Sequence, residues 1–428
     1  MTTPAPVPPF SDALFALTLG LLLLAPLAIA GVALLNTGLG RSRSAAQSLL
    51  GCVTNIGVAA IAFAVVGASF AGAPGHAVRI AGKSWDWIGL TPLLLMHFNT
   101  LRPEAQLPVL FEFLGVGMLA IIPWGSGADR LRLPAGCAIT AVLAGGVFPV
   151  FAHWTLGGGW LERLGTDFGL GAGLLDWAGA ASVHALGGLS ALAVVWIAGS
   201  RRGKFPREGL ATAMPGHNAV YILFGCMLAM VGWLAWNVAG AILWLRVPPG
   251  GLAMIAINTV LCAAAALVAT FTVTRTRFAK PDASMCANGW LAGLVSSSAC
   301  AAMVNPAEAI LVGAIAGIAA PLLVELLELA LSIDDPSGAI SVHAVGGLWG
   351  LFAAGLFAPR PGQVVGQLVG IATLLGFVFP LVYLLFTIVN RVIPFRVEAD
   401  GERLGMDLHE LGGGAYPEFV IHRDESYR

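Results

Sequence analysis

The segment DWAGAASVHALGGL at residues 176–189 returns as DPSGAISVHAVGGL at residues 335–348, identical at ten of fourteen positions. Coincidence in a Gly- and Ala-rich chain produces scattered matches, but not an Asp, a His and a Gly pair in one register. Each copy opens a long stretch without charged residues. Counted along the chain together with two apolar segments interrupted only by acids, the two are the fifth and tenth candidate spans. If the stretches cross a membrane, an odd number of crossings separates the copies and they enter from opposite faces. That is an inverted-topology repeat, an architecture that places its working site near the bilayer midplane.

The composition makes the stretches membrane spans. Of 428 residues, 57% are apolar and 11% charged, with mean hydropathy +0.85. A soluble domain carries about 25% charged residues, so too little polar surface remains to wet a globule of this size. With 22 basic against 23 acidic residues, no net field recruits nucleic acid. The six cysteines lie scattered in apolar runs without metal-ligand spacing and read as small packing residues. A soluble enzyme and a secreted disulfide scaffold are both excluded.

About 20 apolar residues cross a bilayer core. Nine runs lack Asp, Glu, Lys and Arg, among them 44–78, 177–200, 209–245, 283–307 and 336–359. Segments near 105–126, which holds Glu112, and 307–331, which holds Glu325 and Glu328, raise the count to eleven. The expectation is an all-α polytopic membrane protein of eleven transmembrane helices: an inverted 5+5 repeat plus a final helix. Residues 1–391 form that domain and 392–428 a polar cytoplasmic tail. The loop at 72–104 and the segment 152–173 are read as room for short interfacial helices. With the N-terminus out and the C-terminus in, sixteen of the 22 basic residues fall inside, including Arg41, Arg201, Arg423 and Arg428, as the positive-inside rule requires. No basic region precedes the first run, which is read as a retained helix.

Each His follows its Asp by eight residues, about 12 Å of helix rise, against about 15 Å for half the hydrocarbon thickness. His184 and His343 are therefore expected at one depth, within about 2.7–3.2 Å of each other. Burial and proximity both disfavour the imidazolium. A neutral pair sharing a hydrogen bond would offer donor and acceptor edges to a small polar molecule. Two His without a neighbouring Asp, Glu or Cys make an incomplete metal site, and no metal or cofactor is expected. Asp176 and Asp335 are expected to cap the free N–H groups of their helices.

These residues resemble the ammonium transporter family, the ammonium channels of bacteria, plants and the Rhesus group. The resemblance also rests on AHWTLGGGWL (152–161), GHN (216–218), GWLAWN (232–237) and the tail LGMDLHELGGGAYP (404–417). It implies a homotrimer with one pore per subunit in a multi-pass arrangement in the cell membrane, as in a bacterial inner or plasma membrane. It implies recruitment of ammonium or methylammonium at an outer vestibule, passage of an aromatic gate, loss of the proton, and conduction of ammonia past the twin histidines. Asp176 matches the structural and recruiting Asp, His184 and His343 the twin His, Trp233 the pore-region Trp, and Phe111 the outer gate. Asp407 and Tyr416 belong to a regulatory tail signature, which implies docking on the inner loops, including Arg201–Arg207, and a PII-type signalling protein as partner.

The departures fall in the vestibule. Leu156 stands where the family usually has a cation–π Trp, Gly240 replaces the vestibule Ser, Trp236 replaces the inner gate Phe, and Gly338 replaces a common Asp. A cation–π contact is worth about 0.5–2 kcal/mol, so recruitment is expected to weaken. Glu112, next to Phe111, is either a protonated or hydrogen-bonded acid or a replacement charge for the vestibule. Trp244 and the other tryptophans outside the motifs are read as packing or interfacial residues. Three function classes stay open: an ammonium channel or transporter, an ammonium-sensing receptor with little transport, and a pore for another small neutral molecule. No nucleophile, base and oxyanion set converges, so no enzyme is expected.

Overall fold

The structure is a computed structural model and describes residues 10–72, 75–96, 98–208 and 210–416. Pro417, Arg423 and Arg428 of the expected tail lie outside the described residues. The long helices are α1 (Asp12–Leu39), α2 (Ser42–Ala71), α3 (Pro103–Ser126), α4 (Leu133–Leu156), α5 (Ala180–Ala198) and α6 (Ala219–Leu245). They continue with α7 (Pro249–Phe278), α8 (Ala283–Cys300), α9 (Pro306–Ala330), α10 (Ile340–Phe357) and α11 (Gln363–Val392). Ten of these are long and apolar enough to cross a membrane. The exception is α8, whose Asn288 and Ser296 to Ser298 dilute its hydropathy and are all buried. The chain is a polytopic helical membrane protein.

Two boundaries differ from expectation. The charge-free run to residue 78 leaves the membrane early: α2 ends at Ala71, and an antiparallel hairpin follows, β1 (Gly75–Ile80) and β2 (Lys83–Gly89). Its tight turn uses Ala81 and Gly82, both at positive φ, the geometry that matches strand twist in two-residue hairpins. The interfacial helices expected at 72–104 are replaced by this hairpin and two single 3₁₀ turns, whereas 152–173 does hold a short helix, Leu164–Phe168. In the sixth run, Pro215 and Gly216 postpone the helix until Asn218, whose side chain accepts the Tyr221 N–H at 3.0 Å.

Small residues set the packing. A Cβ at Gly232 or Gly31 would run into the backbone of Ala28 or Gly225, so α1 and α6 touch main chain to main chain. Close approach of this kind drives helix association where lipid removes the hydrophobic incentive. At the centre, Gly188 of α5 abuts Ala344 of α10, and Gly347 abuts Ala185. The late residue of each helix meets the early residue of the other. Parallel helices would pair Ala185 with Ala344; the observed pairing requires an antiparallel crossing, as the inverted repeat predicts.

Candidate functional site

Residues 176–179 and 335–338 are not helical. Gly179 and Gly338 take positive φ of 79° and 68°, after which each chain enters a π-helical turn, Ala180–Ala185 and Ile340–Val345. Such wide turns are rare and cluster at functional sites. The Asp176 carboxylate accepts the N–H groups of Ala181 at 2.6 Å and Ser182 at 2.9 Å. Asp335 accepts the Ile340 N–H at 2.8 Å and the Ser126 hydroxyl at 2.6 Å. Burial pushes the Asp176 carboxyl up to about 6, against the pull of its Ser182 and Ala181 hydrogen bonds. The expected continuous rise from Asp to His is thus interrupted, yet the rings still meet because the helices cross at this level.

His184 and His343 are both buried, with their Nδ1 atoms 3.2 Å apart and ring centroids separated by 5.3 Å. One ring must donate and the other accept. Trp233 lies flat on the far face of the pair, 4.9 Å from His184 at 16°, and its indole N–H donates to Ser298 at 2.9 Å. On the Asp176 side, Phe111 packs against Trp236 at 4.9 Å, and Trp236 donates to the Ala178 carbonyl at 3.0 Å.

A cavity lies toward each end of the crossing. One, of about 270 Å³, is lined by Asp176, Leu156, Trp177, Trp244 and Arg360. The other, of about 150 Å³, is lined by Asp335, Arg201, Lys204 and Glu328. The tryptophan read as a packing residue, Trp244, lines the first cavity beside Leu156 and stands edge-on to Phe111 at 6.4 Å. It brings an indole to the vestibule from a different helix than the family motif uses. No spacing rule marked it; only the fold places it there. Gly240 is not an open vestibule position, since a Cβ there would sit 2.5 Å from the Trp177 carbonyl oxygen. Gly338 has the same excuse: any side chain would run into Asn288. Glu112 lines a different cavity from Asp176.

The Asp335 end is held by buried ion pairs that the motifs did not announce. Arg201 contacts Asp334 at 2.8 Å and Asp129 at 3.1 Å, and Arg130 donates to the Asp334 carbonyl at 2.8 Å. Burial opposes ionisation of Asp334, but the Arg201 hydrogen bonds and the Arg130 and Arg201 charges hold its carboxyl down at about 2. At the opposite end, buried His153 bridges Asp86 of β2 and the Gly72 carbonyl, both at 3.0 Å.

The described part of the tail docks on the inner face, but not as expected. Asp407 accepts the N–H groups of Ala46 and Gln47 at 3.1 and 2.8 Å, and Glu410 accepts the Leu133 N–H at 3.1 Å. These acids cap the starts of α2 and α4 and do not pair with Arg201–Arg207. Glu402 is the residue that does so, accepting the Arg202 N–H at 2.6 Å. Tyr416 meets His217 through its hydroxyl at 3.0 Å.

Residues 15–416 match the model of the Ammonium Transporter Family. The chain is 33% identical to ammonium transporter Amt2 of Archaeoglobus fulgidus, over 92% of this chain and 86% of that one. It is 30% identical to the ammonium transporter of Bacillus subtilis, over 90% and 94%. Among solved structures, a Sensor Amt Protein superposes with a TM-score of 0.84 at 26% identity, over 92% of this chain and 97% of that one. Candida albicans Mep2 shares the fold with a TM-score of 0.78 at 24% identity, over 96% and 91%. The buried histidine pair at an antiparallel helix crossing, each helix capped by its own Asp, therefore stands within a relationship that spans nearly the whole sequence, and the chain belongs to the Ammonium Transporter Family.

Proposed function

We propose that this protein carries ammonium across the cell membrane, with the N-terminus outside and eleven crossings in all. The cation enters the Asp176 cavity, where Trp244 supplies the aromatic face that Leu156 lacks. It passes Phe111 and Trp236, gives up its proton to solvent on the Asp176 side, and ammonia moves along the neutral His184–His343 pair. The observation that carries this reading is the 3.2 Å contact of two buried imidazoles between cavities that open toward opposite ends. A buried neutral pair accepts a hydrogen bond from ammonia and returns one without stabilising the cation. Three copies associate as a homotrimer, and the docked tail presents the inner mouth to a PII-type regulator.

The test is [¹⁴C]methylammonium uptake in cells without ammonium transporters of their own, with His184→Ala as comparison. Saturable uptake that disappears in the variant supports the reading; equal uptake in both overturns it. A sensing role is the second reading, favoured by the 0.84 TM-score with a Sensor Amt Protein and by the tail that caps two spans. It predicts saturable ammonium binding with negligible uptake.

A further inference from the structure

A third cavity, of about 460 Å³, lies between the outer ends of α2 and α3, the loop that follows β2, and the end of α4. Leu95, Leu101, Val109, Leu156 and Trp244 give it apolar walls, and Glu112 projects into it. Glu112 is 8% exposed, and no hydrogen bond or ion pair joins its carboxyl to any described residue. A carboxylate withdrawn from water requires a compensating charge or a proton. The cavity is far larger than an ammonium ion, and Glu112 is the charged group in its lining, with Thr91 and Thr100 as the other polar side chains. Its complement is a molecule with one cationic, hydrogen-bond-donating end and an apolar remainder. Leu156 and Trp244 line both this cavity and the Asp176 vestibule, so the two compartments share one wall.

We propose that the Glu112 cavity is a binding site for primary alkylammonium cations, separate from the His184–His343 pair. The ammonium group bonds the Glu112 carboxylate, and the alkyl chain lies against Leu95, Leu101 and Val109. Pockets of this kind, mostly apolar with one placed charge, are the usual form of small-molecule sites. The site does not depend on whether the protein transports or senses ammonium.

The test is calorimetric titration of the full chain in phosphatidylcholine nanodiscs with methylammonium, n-butylammonium and 1-butanol. We expect saturable butylammonium binding that tightens about fourfold for each added methylene, and no binding of butanol. Glu112→Gln should weaken butylammonium at least about tenfold, the scale of a lost charge-assisted contact. Val109→Trp, which fills the cavity and keeps the carboxyl, should do the same should the first variant fail to fold. His184→Ala should abolish uptake yet leave butylammonium binding intact, which separates this proposal from the transport reading. Phosphatidylethanolamine in the nanodiscs shows the source of the ammonium: competition with butylammonium marks a lipid headgroup, and its absence a soluble amine. No saturable binding, no dependence on chain length, butanol binding as well as butylammonium, or wild-type affinity in a folded variant would overturn the assignment.

Discussion

Trp233 lies nearly parallel to the His184 ring, 16° apart at 4.9 Å, while His343 meets the same imidazole edge to edge through Nδ1, 21° from coplanar. The Trp233 indole is pinned by Ser298, on α8, the least apolar of the long helices. The polarity of α8 is thus spent on orienting the stack. Trp233→Leu should free the His184 ring. With ring pairs worth about 0.5–1.5 kcal/mol, methylammonium uptake should fall roughly two- to twelvefold, and the cavity left by this fully buried side chain should lower the melting temperature as well. Ser298→Ala should give a smaller loss in the same direction. Uptake unaffected by both changes would remove Trp233 from the working stack.

Asp334 and Arg201 supply the pH dependence. The carboxyl lies at about 2 against an ordinary value of 3.8, so its folded form binds protons less readily than its unfolded form. The stabilisation is complete above 3.8 and is lost as pH falls through about 2; at neutral pH it amounts to about 2 kcal/mol. Asp334→Asn leaves Arg130 and Arg201 partly uncompensated in a buried site, a change that costs about 3–5 kcal/mol. Thermal melts should therefore show a clear loss for the variant at pH 7 and convergence with the parent toward pH 2. Parallel curves over the acid range would show that the ion pair contributes nothing to that limb.

The vestibule changes should separate. Leu156 lines the Asp176 cavity and is only half-buried, so Leu156→Trp has room to add a ring. A cation–π contact of about 0.5–2 kcal/mol should tighten methylammonium about two- to thirtyfold. Gly240→Ser has no such room, because its Cβ meets the Trp177 carbonyl at 2.5 Å. Overpacking costs about 1–3 kcal/mol, so this variant should melt lower without gaining affinity. Calorimetry and melting of the two single variants check both halves, and a gain from Gly240→Ser would show that the Trp177 segment yields.

The sequence carried the helices, the repeat and the histidine pair because each depends on local pattern: apolar run length, an Asp-to-His spacing, a Gly pair where helices cross. What it hid depends on residues far apart in the chain. Trp244 becomes a vestibule residue only because α6 brings it beside Leu156 and Phe111. The hairpin was missed because an uncharged run does not reveal where a helix stops. Asp407 was expected to dock on the basic inner loops; it and Glu410 instead bond backbone N–H groups at the starts of α2 and α4, pairings between residues far apart in the chain that no local pattern marks.

Those two acids give the tail a second duty. Each caps a span, and a lost cap costs about 1 kcal/mol. Phe395, Val397 and Met406 are also buried at 3% exposure or less, so residues beyond Arg391 belong to the inner core. Truncation there should lower the melting temperature by several degrees and reduce transport for structural reasons alone. Asp407→Asn with Glu410→Gln should reproduce part of the loss without removing any chain. Tyr416→Phe is the variant that isolates regulation, since it deletes only the hydroxyl's contacts, with His217, Asn218 and Tyr221, and uncovers no core. It should melt like the parent, and if the tail governs the pore, its methylammonium uptake should change by about twofold or more, as one neutral hydrogen bond allows. Identical uptake in Tyr416→Phe, beside a destabilised truncation, would leave the tail as a structural clamp with no regulatory part.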